Sequence, residues 1–166
     1  MKLMTFDAGS GPKVGLVNDK GVIDLTDRLE ILSLKDLIAN QQFNEVPVNA
    51  NEEADYHENE IKFLPVIPDP EHIFCIGTNY ADHLQEAIDA GLPRSKTEHP
   101  PLFLRFSDTL VGHDQPLFKS PQVKQLDYEC ELAVIIGKQG RYITEERALS
   151  HVAGYSCFNE ASARDW

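Results

Sequence analysis

The stretch that most constrains this chain is residues 125–137, QLDYECELAVIIG. In an extended strand successive side chains alternate faces, so Glu129, Glu131, Ala133 and Ile135 point one way. Cys130, Leu132, Val134 and Ile136 point the other way. Both faces are apolar further along, which predicts a strand buried as a whole. Two carboxylates on one face of such a strand repel one another, and burying them without compensation is costly. They must be protonated, paired with Arg or Lys, or bound to a hard cation. Oxygen ligands suit magnesium, manganese or calcium better than zinc. An ExE pair on an edge strand is ordinarily a solvated face; the apolar run to Ile136 argues against that here.

The rest of the chain reads as a mixture of strands and short helices. Residues 13–17 and 22–25 flank the turn-rich tetrad Asn18-Asp19-Lys20-Gly21, which predicts a hairpin. Ser33 and Asp36 have the spacing of a capping box ahead of a helix. Between Glu45 and Glu60 the chain is acidic and almost without apolar periodicity, the pattern of an exposed, charged connector. Pro65, Pro68 and Pro70 follow and place a lobe boundary near 65–70. Beyond it, Ile73–Gly77 predicts a buried strand. Asn79 predicts the N-cap of a helix running to Ala90, with Gly91 as its stop. Residues 102–106 and 154–158 read as strands, 112–116 as a turn and 145–149 as a short helix.

Charge and cysteine usage narrow the function classes. Among 166 residues, 15 basic against 27 acidic side chains give a net charge of −12, the wrong sign for binding nucleic acid. Cys75, Cys130 and Cys157 have no metal-ligand spacing, and each lies in an apolar stretch, which predicts buried free thiols in a reducing compartment. No stretch approaches the roughly 20 apolar residues of a membrane span, so a soluble, cytoplasmic protein is expected.

Two further groups can carry chemistry. His83 and Glu86, three apart on the predicted helix, share a face, and a Glu that orients a His is the arrangement of a general base. An ordinary exposed pair has the same spacing. Glu160 and Arg164 follow the last apolar strand, where a surface salt bridge explains them equally well. The remaining histidines, His57, His72, His99, His113 and His151, read as surface groups.

Taken together, three segments resemble the fumarylacetoacetate hydrolase family. Gly77-Thr78-Asn79-Tyr80-Ala81-Asp82-His83-Leu84-Gln85-Glu86 is similar to its GxNYxxHxxE segment. Residues 125–137 are similar to its (K/Q)xDYExELAxxIG strand, and Val152–Tyr155 with Asn159–Asp165 to its VxGYxxxND(x)SARD motif. The order and spacing are the family's over residues 72–166, while residues 1–65 are similar, less specifically, to the small N-terminal lobe of many members.

The resemblance implies an α+β fold: a mixed β-roll catalytic domain over 70–166, often dimeric, preceded by a small α/β lobe over 1–65. It implies one magnesium or manganese ion, calcium in some members, held by Glu129, Glu131 and Glu160. His83 and Glu86 become the water-activating dyad, and Tyr80, Arg105 and Arg164 substrate contacts. The implied reaction is hydrolysis of a carbon–carbon bond in a small 2,4-dioxo acid. Decarboxylation of a 2-oxo acid and enol–keto isomerisation are the alternatives within the family, and an inactive fragment or non-catalytic subunit the alternative outside it. Glu160 stands where the family usually has Asp, and Arg105 where many members have Lys. Members also continue beyond the motif that ends at Trp166, so the catalytic domain is expected to be C-terminally incomplete here.

Overall fold

In the computed structural model, residues 1–46, 52–91 and 99–166 are described. The N-terminal residues build an antiparallel sheet of β1 (Lys2–Asp7), β2 (Pro12–Asn18), β3 (Gly21–Asp24) and β4 (Lys62–Phe63), in the order β3-β2-β1-β4. The predicted hairpin is β2–β3. Its turn is fixed by the Asn18 side-chain oxygen, which accepts from the amides of Lys20 (2.9 Å) and Gly21 (3.1 Å). Gly21 has φ +143°, and a Cβ there would come within 2.4 Å of the Tyr56 carbonyl oxygen, so a side chain is excluded twice over.

Strand alternation sorts this sheet's apolar residues onto two faces. Val14, Leu16, Ile23 and Leu25 join one core with helix α1 (Leu34–Ala39), while Met4, Phe6 and Val22 form the other. Helix α1 buries Leu34, Leu37 and Ile38, the spacing of one helical face. It starts as expected, with the Ser33 hydroxyl accepting from the Asp36 amide at 3.1 Å.

The described part of the acidic stretch is largely exposed, as expected, but it is tied to residues far upstream. Arg28 pairs with Glu52 and with Asp55 (2.8 Å), Lys20 pairs with Glu53, and the Val22 amide donates to the Tyr56 carbonyl at 2.9 Å. Its cationic partners lie two to three dozen residues upstream, outside any local window. Residues 47–51 of the stretch fall outside the described residues.

Residues Met1–Pro68 together with Val111–Trp166 form one compact unit, and Asp69–Leu110 a second. In the second unit β5 (Ile73–Ile76) pairs antiparallel with β6 (Leu102–Arg105), and helix α2 spans Ala81–Asp89. Its N-cap is Tyr80, one residue later than expected: Tyr80 keeps an extended backbone and offers no side-chain cap, while Thr78 takes φ +52°. Gly91 ends the helix as expected, at φ +72° with its amide on the Ile88 carbonyl at 2.9 Å. Strand β5 forms but is not buried; Phe74 is 63% exposed, because among the described residues no layer covers one face of this two-stranded ladder.

In the first unit β7 (Leu126–Asp127) pairs with β10 (Ser162–Ala163), and β8 (Cys130–Ile136) with β9 (Val152–Asn159), both antiparallel. Helix α3 (Glu145–Ala148) and one 3-10 turn at Leu149–His151 connect β8 to β9. Strand β8 differs from expectation in one respect. Its Glu129–Ile135 face is half-buried, with Ile135 and Ala153 packed on the N-terminal core, but Leu132 (60%) and Ile136 (65%) on the other face are exposed. Cys130 and Cys157 lie on that exposed side and Cys75 is half-buried, so none of the three thiols is deeply buried as composition suggested.

His151 departs from expectation in the opposite direction. It is only 5% exposed; its Nδ1 lies 2.9 Å from the Lys138 carbonyl, and a Cβ at Gly140 would come 2.6 Å from its ring. The chain is thus mixed α+β, and no helix of the described residues is long and apolar enough to cross a membrane.

Phe6 is fully buried and meets Tyr56 edge-on at 5.5 Å between ring centroids. Phe6→Ala should destabilise the chain by about 3–5 kcal/mol, read as a lowered urea midpoint with an unchanged slope.

Candidate active site

The residues whose carboxylates the sequence singled out lie at or beside an interruption between two ladders. Asp127 pairs with Ser162, and Cys130 pairs with Asn159 in the same register. Glu129 therefore lies opposite Glu160, whose amide donates to the Glu129 carbonyl at 2.9 Å. The Asn159 side-chain oxygen accepts the Glu129 amide at 3.0 Å, so a side chain replaces one rung of the ladder. Opposite residues in an antiparallel pair share a face, as do residues two apart in one strand. That arrangement brings Glu129, Glu131 and Glu160 to one face of the paired strands. Their exposure agrees: Glu129 and Glu131 are half-buried, and Glu160 is 6% exposed.

Like charges held opposite one another destabilise a sheet. Part of the compensation is Arg164, anchored where its amide meets the Gln125 carbonyl at 2.8 Å. Its Nε donates to Asp127 Oδ2 at 3.1 Å, and its Nη2 lies 3.2 Å from Glu129 Oε1. The second contact is one of charge rather than an aligned hydrogen bond, for Glu129 Oε1 is buried without a hydrogen-bond partner. Burial alone would lower the Arg164 pKa; the bond to Asp127 and the charges of Glu129 and Asp127 outweigh it and hold the guanidinium above its ordinary value.

These residues suit a divalent cation in two respects: the donors are hard carboxylate oxygens, and one of them is buried without a donor of its own. Among the described residues, no three His, Cys, Asp or Glu side chains are gathered around one point in ligand geometry. The backbone juxtaposition is present while the side-chain convergence is not.

The other anticipated residues lie in the second unit. His83 and Glu86 share a face of α2, with Nδ1 and Oε2 3.8 Å apart, close enough for charge but too long for a hydrogen bond. Both are well exposed, His83 less so. Arg105, at the end of β6, is half-buried with its guanidinium 5.2 Å from the Phe103 ring centroid. It borders a cleft of about 170 Å³ together with Glu71, His72 and Ser107. Tyr80 caps α2 and is 46% exposed.

Sequence reasoning overlooked Asp127, which holds Arg164. The signal was available: the alternation that groups Glu129 with Glu131 extends back to Asp127. It also overlooked the Asn159 carboxamide, which nothing local reveals, since its role depends on the opposing strand.

Comparison with known proteins identifies the family and the fold. The family described as "Fumarylacetoacetate (FAA) hydrolase C-terminal" matches residues 72–166. A mitochondrial oxaloacetate tautomerase of Bos taurus is 34% identical over 176 residues, an alignment covering 100% of this chain and 54% of that protein. The chain thus spans about half the length of that relative. A fumarylacetoacetate hydrolase from psychrophilic Exiguobacterium antarcticum superposes with a TM-score of 0.79 at 32% identity, covering 99% of this chain and 57% of that one. A maleylpyruvate hydrolase from Sphingobium sp. SYK-6, in complex with manganese(II) and pyruvate, shares the fold at a TM-score of 0.79 and 22% identity, over 100% of this chain and 60% of that one.

Next to Arg164, Asp165 closes one end of the short ladder, accepting the amides of Lys124 (2.9 Å) and Gln125 (3.1 Å). The Lys124 amide, more than the opposing effect of burial, holds this carboxyl below the usual range, and the Gln125 amide adds to it. A depressed folded pKa stabilises fully above the unfolded value, and that stability is lost as pH falls through the folded value. Asp165→Asn should therefore lower the melting temperature at pH 7 and shrink the drop between pH 7 and pH 3. Calorimetry of both proteins across that range measures it.

Proposed function

The chain belongs to the fumarylacetoacetate (FAA) hydrolase family, and from that premise we propose that it carries the cation-binding part of an enzyme acting on a small 2-oxo or 2,4-dioxo acid. The observation that supports this best is the placement of Glu129, Glu131 and Glu160 on one face, with the buried Glu129 Oε1 lacking a hydrogen bond. Those three side chains would hold the ion, and magnesium or manganese suits their oxygens better than zinc. A divalent cation there would supply Lewis-acid polarisation of the substrate's 2-oxo acid end. The manganese and pyruvate of the maleylpyruvate hydrolase are consistent with such a role.

The chain's own residues would do the rest. His83 takes a proton from water or from substrate carbon at its ring nitrogen, and Glu86 orients the ring. Arg164 and Arg105 offer guanidinium groups for a substrate carboxylate, and Tyr80 a phenol. Hydrolysis of a carbon–carbon bond is our leading reaction, with enol–keto isomerisation beside it because the similar bovine protein is an oxaloacetate tautomerase. Decarboxylation needs the same polarised 2-oxo acid. A mixed β-roll, a homodimer and a cytoplasmic location belong to this reading as well.

Glu131→Gln tests it. The variant should stay folded, lose cation affinity by at least about tenfold, and lose turnover on a panel of acylpyruvates and oxaloacetate. Metal-dependent turnover that survives Glu131→Gln would exclude the assignment, and the products formed by the unaltered chain separate hydrolysis from isomerisation.

A further inference from the structure

Arg164 contacts two carboxylates at once, and the two contacts differ in kind. Its Nε makes a hydrogen bond to Asp127 Oδ2 at 3.1 Å, whereas its Nη2 meets Glu129 Oε1 at 3.2 Å without hydrogen-bond alignment. Asp127 is about as exposed as Arg164 itself, while the Glu129 side chain is only 19% exposed. The guanidinium thus reaches from a solvated anchor toward a carboxylate that is largely out of water. Asp127, Glu129, Glu131 and Glu160 together bring four carboxylates to this segment, and Arg164 is paired with two of them. A divalent cation on Glu129 and the Nη2 arm of Arg164 would compete for the same oxygen, since a bound cation repels a guanidinium a few ångströms away.

We infer that Arg164 is a resident counter-cation which a divalent metal ion displaces from Glu129, so that the freed Nη2 arm becomes available to an anionic ligand only once the ion is bound. This rests on the reading of Glu129 as a metal ligand and adds an order of binding to it. The Asp127 contact keeps the guanidinium beside the site after displacement. Arg164 is in this sense a positioning residue: it neutralises Glu129 without the ion and is released to the substrate side with it. Its planar fork allows one arm to stay while the other leaves, which a lysine ammonium cannot do as well.

The experiment is a calorimetric titration of the whole chain with Mn²⁺ alone at low ionic strength, accompanied by melting curves with and without the ion. The unaltered chain should bind Mn²⁺; if it does not, the ligand reading fails, and this inference with it. Given binding, Arg164→Gln should tighten Mn²⁺ affinity by roughly threefold or more, lower the ion-free melting temperature and enlarge the Mn²⁺-induced rise. Lys124→Gln removes a neighbouring charge that makes no ion pair with Glu129, and should change the affinity far less. Asp127→Asn should act in the opposite direction, leaving the guanidinium to Glu129 and weakening Mn²⁺ binding. An Arg164→Gln affinity equal to or weaker than that of the unaltered chain overturns the competition, as does an equal gain from Lys124→Gln. If Arg164→Gln fails to fold, Arg164→Met decides: loss of the charge with the apolar stem kept should still tighten Mn²⁺ binding, and unchanged affinity overturns the inference.

Discussion

Repulsion between carboxylates fixed on one face of a pair of strands is the constraint on which the site depends. Backbone pairing brings Glu129 opposite Glu160 and places Glu131 two residues along, so the chain cannot relieve the charge by turning one side chain to the other face. The interruption between the ladders, spanned by the Asn159 carboxamide and the Glu160 amide, gives these carboxylates a polar surround where a regular ladder would not. Arg164 supplies charge from one side and is itself held by Asp127. The far end of β8 anchors this arrangement, because Ile135 packs on the N-terminal core. Apolar burial at one end of the strand thus fixes the polar geometry at the other.

Much of this was legible in the chain. Alternation alone groups Glu129 with Glu131, and the turn at Asn18–Gly21, the Ser33 cap and the Gly91 stop each follow from a local stereochemical preference. What could not be read depends on register or on distant partners. No local pattern says that Glu160 faces Glu129, that Asn159 fills a rung, or that Arg28 and Lys20 hold the acidic residues 52–55. His151 is the plainest case: between a serine and a valine it looks like a surface residue, yet Gly140 and the Lys138 carbonyl enclose it. Motif resemblance brought in Glu160 and Arg164, which the physics of the sequence alone left as an ordinary salt bridge.

The apolar strands and the thiols are all less buried than expected. Apolar character on both faces of β8 and in β5 suggested strands covered on both sides, whereas Leu132, Ile136 and Phe74 are exposed. Apolar residues report what a strand can bury, not what the described residues place against it. Cys130 and Cys157 follow the same rule, being exposed because they sit on the uncovered side of the same ladder.

The unbroken register across the interruption at Glu129 and Glu160 carries one more consequence. Because strand side chains repeat every two residues, deleting or inserting a single residue between Asp127 and Cys130 would invert one ladder relative to the other. Glu131 would then turn toward the side now occupied by Leu132 and Val134, and Asp127 would part company with it. Replacing a side chain here alters one donor, but a change in chain length would dismantle the whole constellation. The spacing of this segment should therefore tolerate far less evolutionary drift in length than in composition.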